Sequence, residues 1–177
     1  MKSRIFSLAI IYSVFHPNMS SAQSNCDSIK KENVYLRRAL SLNEPIKEVK
    51  KNDFAFSIVR VSGDIKAQIV TIEVLIKNTG KNLETFGSQV QSMSDVNGNV
   101  YKLDAAYVGG EKIYGSMFEK LYRDAPLKCK YIFKGIEPEV KIIKLLNYPI
   151  KYQIPGANSF DFVEESVEFR DFSISWK

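Results

Sequence analysis

The feature that most constrains the fold is an unbroken alternation in residues 68–77. Val70, Ile72, Val74 and Ile76 form one wholly apolar face, and Thr71, Glu73 and Lys77 lie opposite. A period of two belongs to an extended strand with one side on a core and the other mostly toward water. Ser62-Gly63-Asp64 turns the chain before this stretch and Asn78-Thr79-Gly80 ends it.

Strand signals recur on both sides. Residues 54–61 are rich in aromatic and β-branched side chains. Residues 86–94 and 100–108 flank Asp95-Val96-Asn97-Gly98-Asn99, a hairpin signal because Asn and Gly both tolerate positive φ. Gly109-Gly110 opens a less regular stretch, with a short helix expected near Met117. Residues 127–134 and 140–146 read as strands, although Ile142 and Leu146 against Ile143 and Leu145 leave the face of the second ambiguous. Pro149 and Pro155 mark 148–154 as an irregular edge. The last strand, 167–176, changes phase: Val167 and Phe169 are odd-numbered, whereas Phe172, Ile174 and Trp176 are even-numbered. One extra residue would restore the phase, so the pattern predicts a bulge or kink at Arg170-Asp171. Roughly seven short strands with little helix predict an all-β, immunoglobulin-like antiparallel sandwich over residues 54–177.

The N-terminus reads as a leader. Lys2 and Arg4 precede an uncharged apolar stretch, 5–15, then a Pro-containing break and Ser20-Ser21-Ala22. That is the pattern of a secretory signal peptide over 1–22, with cleavage before Gln23. The apolar stretch falls short of the roughly 20 residues that span a bilayer, and no other segment is apolar enough. Asp27 or Ser28 can cap a short helix whose stripe is Ile29, Leu36 and Leu40, stopped by Asn43 and Pro45. This gives a helix and stop over 27–45. A charged linker over 46–53 follows.

Cleavage would remove Lys2 and Arg4, taking the formal charge from +5 to +3. The remaining basic residues are scattered lysines, a solvated surface and not a nucleic-acid track. The one histidine, His16, lies within the leader. A mature chain without histidine has no Ser-His-Asp triad, no Cys-His pair and no His-ligated metal. Its two cysteines, Cys26 and Cys129, cannot make an all-cysteine zinc site. In an oxidising compartment they are the candidates for one disulfide. Cys129 shares an inward strand face with Leu127, Tyr131 and Phe133, so a buried thiol and a loose terminal Cys26 is the other reading. A lipidated Cys26 is a third, although Gln23-Ser24-Asn25 lacks a lipoprotein signal's residues.

Four constellations carry chemistry on paper. Asp95, Asn97 and Asn99 alternate like a calcium loop, but Gly98 comes fourth and Ala106 stands where the twelfth-position Glu belongs. Gly110, Gly115 and Ser116 mimic a phosphate loop without its lysine. Asp161, Glu164, Glu165, Glu168 and Asp171 form an acidic cluster of the type that runs glycoside hydrolysis when carboxylates pair. Among the aromatics crowding the middle of the chain, Tyr107, Tyr114 and Tyr122 are the candidates for a binding surface. No catalytic, metal or cofactor residue is assigned.

Residues 68–80, 95–103, 127–146 and 167–176 are similar to stretches of small exported immunoglobulin-like proteins of bacteria. The resemblance implies the sandwich fold and a signal peptide with a short helix ahead of it. It carries no site residues, because such proteins mostly lack an assigned activity. The chain departs from antibody-type domains in that Trp176 follows both cysteines. The expectation is a non-catalytic module, exported to periplasm, cell surface or medium, that takes no cofactor. It would bind a protein or envelope component, not nucleic acid. A carbohydrate-binding sandwich and a carboxylate or Ser-Lys hydrolase are the alternatives.

Overall fold

The computed structural model describes Ile29 and residues 44–114, 117–156 and 161–177. The chain divides into two units, Met1–Ser41 and Leu42–Lys177, and nearly all the described residues belong to the second. The leader expected over 1–22, Cys26 and nearly all of the helix expected over 27–45 lie outside the described residues.

The described residues of the second unit are all-β, with twelve strands where about seven were expected. They are β1 (Lys47–Lys51), β2 (Phe54–Asp64), β3 (Ile69–Asn78), β4 (Leu83–Ser88), β5 (Ser92–Asp95), β6 (Val100–Val108), β7 (Glu111–Ile113), β8 (Met117–Leu121), β9 (Leu127–Lys134), β10 (Ile142–Gln153), β11 (Phe162–Ser173) and β12 (Ser175–Trp176). The first sheet runs β1-β2-β3-β9-β6, with β7 beside β6 and β12 parallel to the end of β2. The second contains β5, β10, β4, β8 and β11. β6 belongs to both: its start pairs β5 and its end pairs β9, with a register shift between Leu103 and Ala105 where it bends across. The buried faces of both sheets share one core. Tyr148 of β10 lies against Phe56 of β2, 5.7 Å between ring centroids, and against Tyr131 of β9 at 5.6 Å.

The alternation in β3 holds as read. Val70, Ile72, Val74 and Ile76 are wholly buried, and Thr71 and Glu73 are half-exposed. The 95–99 hairpin also forms, but by other chemistry. Only Gly98 has positive φ; Asp95 Oδ1 accepts the N–H groups of Asn97 and Asn99, and Gly98 N–H donates to Asp95 O. This is a type I turn closed by a left-handed glycine.

Several expectations are corrected. The linker over 46–53 is in part a strand: β1 pairs β2 through a two-residue turn in which Asn52 takes positive φ. Its charged sequence marks a sheet edge, where lysines discourage further pairing. The helix near Met117 is strand β8. The single strand over 86–94 is two, β4 and β5, both paired with β10. The two pieces over 140–154 are one strand, β10, which is central, not an edge. It tolerates Pro149 because Pro149 O, and so its missing N–H, faces the 89–91 break between β4 and β5.

The kink at Arg170-Asp171 is present, and Asp171 has φ 54°. Val167 and Phe169 before it, and Phe172 and Ile174 after it, are all buried. Its form differs from a bulge confined to β11. Ile143 pairs Phe172 and Leu146 pairs Phe169 in one continuous register. Both strands therefore place two consecutive residues outside the core, Lys144-Leu145 facing Arg170-Asp171, and change phase together. The ambiguity of 142–146 and the phase change of 167–176 are one event.

Candidate binding surface

The solvent-side face of the first sheet carries a row of paired side chains. Cross-strand register aligns Arg60 of β2 with Glu73 of β3, Glu73 with Lys130 of β9, Lys130 with Tyr107 of β6, and Tyr107 with Lys112 of β7. Residues opposite one another in antiparallel strands share a face, so these five side chains form a line across five strands. Lys130 Nζ sits 4.1 Å from the Tyr107 ring centroid. Lys112 Nζ lies 5.3 Å from the ring of Tyr114, which follows β7 and is 84% exposed. Each such contact contributes about 0.5–1 kcal/mol at an exposed site. Glu73 is bound at 2.8 Å by Lys128, the neighbour on β9.

The structure therefore brings Tyr107 and Tyr114 together through Lys112. It does not bring Tyr122 to them. That residue is exposed beyond β8, beside the bridge between Asn78 and Arg123. The ring face of Tyr107 is covered by the Lys130 ammonium group.

Four of the acidic cluster, Glu164, Glu165, Glu168 and Asp171, are dispersed along β11, each with its own cation or amide, and Asp161 precedes the strand. Glu164 meets Lys151 at 2.6 Å, Glu168 meets Arg170 at 2.6 Å, and Asp171 meets Lys144 at 2.7 Å. Glu165 lies 3.6 Å from Lys51 and accepts from Asn52 Nδ2. The Lys144 hydrogen bond, outweighing partial burial, holds the Asp171 carboxyl below its ordinary value. A general acid needs the opposite displacement.

A buried polar cluster went unread in the sequence. Tyr148 OH and Tyr131 OH are 2.6 Å apart, and Tyr131 OH lies 2.8 Å from Ser88 Oγ. Cys129, also wholly buried, adjoins both tyrosines. Burial pushes its thiol up to about 11, only partly offset by the Tyr148 and Tyr131 hydroxyls. Burial likewise raises both phenols well above their usual range. Burial holds the thiol and both phenols in their neutral forms, and the hydrogen bonds cross-link β4, β9 and β10. The inward face of Cys129 and Tyr131 was legible; nothing in the sequence joins Ser88 and Tyr148 to them. The bridge weighed between Cys26 and Cys129 involves Cys26, which lies outside the described residues.

Asp95 is also buried, and both its oxygens are taken. Asn97 and Asn99 N–H reach Oδ1, while Asn99 Nδ2 and Tyr101 OH reach Oδ2. Burial raises its pKa and these bonds lower it more, leaving it below 3.8. A carboxylate saturated by donors holds a turn, not a calcium ion. Among the described residues no three His, Cys, Asp or Glu side chains converge, and no helix is long and apolar enough to cross a membrane.

No family model matches the chain, and no curated protein does. Among solved structures the chain is similar to the yeast GGA1 GAE domain, at 14% identity and TM-score 0.42, over 70% of this chain and 96% of that one. It is also similar to AvmM, which catalyses macrocyclization in alchivemycin A biosynthesis, at 12% identity and TM-score 0.37, over 70% of this chain and 90% of that one. Likenesses at these scores assign neither fold nor function.

Proposed function

We propose that this is an exported, non-catalytic binding module with an immunoglobulin-like sandwich fold. It engages a protein or envelope component through the solvent-side face of its first sheet. The observation that carries the reading is the Arg60–Glu73–Lys130–Tyr107–Lys112 row with Tyr114 exposed at its end. Aromatic side chains and arginine are the usual anchors of an interface, and the row supplies Arg60 and Tyr107 with Tyr114 at its end. Against hydrolysis stand the carboxylates of β11, each engaged by a cation or an amide. Against sugar stacking stands Lys130, which a sugar would have to displace from Tyr107.

The test is co-purification of the untagged chain from the cells that make it, beside Tyr114→Ala and Tyr122→Ala. A companion retained by the native chain and by Tyr122→Ala, but lost with Tyr114→Ala, is the expected result. A companion held equally by all three would remove this face as the binding surface.

A further inference from the structure

We propose that the β2 end of this row opens into a binding groove for a multivalent oxyanion, a phosphate or sulfate ester. The inference rests on the reading of this sheet face as the binding face and names a ligand class for its far end, roughly 14 Å from Tyr107 at three strand spacings.

Three features build the groove. An extra residue at Val59 shifts the β2–β3 register between Ile58 and Arg60, bending β2 and aiming Arg60 outward. β12 pairs with β2 at Ser62 and Gly63 and walls the other side. Between them lies an open groove of about 560 Å³ lined by Arg60, Ser62, Asp64, Lys66, Thr71 and Lys177. Ser62 and Thr71 face each other across β2 and β3, so two hydroxyls stand between the cations.

Ten of the nineteen described lysines and arginines are in ion pairs, and this groove gathers three of the other nine. Arg60, Lys66 and Lys177 are in none among the described residues. The carboxylate opposite Arg60, Glu73, is taken from the far side by Lys128. The one side-chain carboxylate in the groove, Asp64, spends Oδ1 on the N–H groups of Lys66 and Ala67. Three side-chain cations, two hydroxyls and the Asp64 carboxylate therefore line space that a tetrahedral oxyanion fits. A guanidinium with flanking ammoniums is the donor set that phosphate and sulfate select.

The chain contains its own reporter. Its one tryptophan, Trp176, packs on Gly63, a residue that also lines the groove. Inorganic pyrophosphate is titrated into the protein as its cells produce it, followed by Trp176 fluorescence and in parallel by phosphorus NMR line width. Saturable binding is expected, weakened at least tenfold in the Arg60→Gln, Lys66→Gln, Lys177→Gln triple variant. A charge-matched triple, Lys47→Gln, Lys81→Gln, Lys102→Gln, removes three unpaired cations elsewhere and should leave affinity within twofold. Absence of saturation by both readouts, or equal weakening by the two triples, would overturn the site. Vesicles of phosphatidylcholine with and without phosphatidylglycerol separate the sources. Capture only by the anionic vesicles, competed by pyrophosphate, makes a lipid headgroup the ligand, whereas pyrophosphate binding without capture makes it a soluble ester. Loss of the companion with Tyr114→Ala, together with no saturable pyrophosphate binding, would overturn this inference while leaving the binding face intact.

Discussion

Deleting Arg170 should be nearly harmless, whereas deleting Ser173, three residues on, should be close to unfolding. Both residues are exposed on β11, and neither deletion removes a buried side chain. Without Arg170, Phe169, Asp171 and Phe172 alternate in, out, in, and every apolar residue keeps its face. The partner strand then opposes Lys144-Leu145 to Asp171 alone, an ordinary two-against-one bulge. What is lost is the exposed Arg170–Glu168 pair, worth about 0–1 kcal/mol. Deleting Ser173 instead turns Ile174 and Trp176 off the core. Ile174 is 7% exposed and Trp176 is half-buried against Gly63, with its indole N–H on Val140 O at 2.8 Å. At roughly 1.5–3 kcal/mol per side chain the cost is about 3–6 kcal/mol, a large part of the ~5–15 kcal/mol that stabilises a typical domain. Urea denaturation of the two deletions, with m compared as a check on cooperativity, reads the difference directly. Equal losses, or a larger loss without Arg170, would mean that the paired phase change in β10 and β11 is wrong.

Other perturbations test the packing. In Gly63→Ala the new methyl would fall 2.2–2.6 Å from Trp176 ring carbons. The ring must move, at about 1–3 kcal/mol, with a red shift in tryptophan emission. Tyr148→Phe removes the hydroxyl bonded to Tyr131 but leaves Ser88 bonded to it; the expected loss is about 1 kcal/mol in denaturant midpoint. Asp95 has a folded pKa below its ordinary 3.8. The stability it contributes is complete above that value and is lost as pH falls through the folded value. Asp95→Asn should lower stability at neutral pH and flatten its decline below about pH 4 in acid titrations of the melting temperature.

What the sequence disclosed follows from how local each signal is. The β3 alternation, the Asp95–Asn99 turn and the phase change near Arg170 are written in consecutive side chains, and each appears where expected. β10 was misread because proline argues against a central strand unless its missing N–H meets a gap, and that gap is made by residues 89–91, far away in sequence. β1 resembled a linker because an edge strand is charged for the same reason a linker is: both face water. The Ser88–Tyr131–Tyr148 cluster joins three strands that become neighbours only once the sheets close. The binding face divides the same way. Tyr107 and Tyr114 were legible as candidates, while Arg60, Lys112 and Lys130 were scattered lysines and an arginine until register aligned them.

The proposed export would take away the one histidine with the leader and set the compartment in which a partner is met. N-terminal sequencing of the protein recovered from producing cells tests it most directly. Protein in the envelope or medium beginning near Gln23 is the expected result. An intact Met1 on protein confined to the cytosol would contradict it.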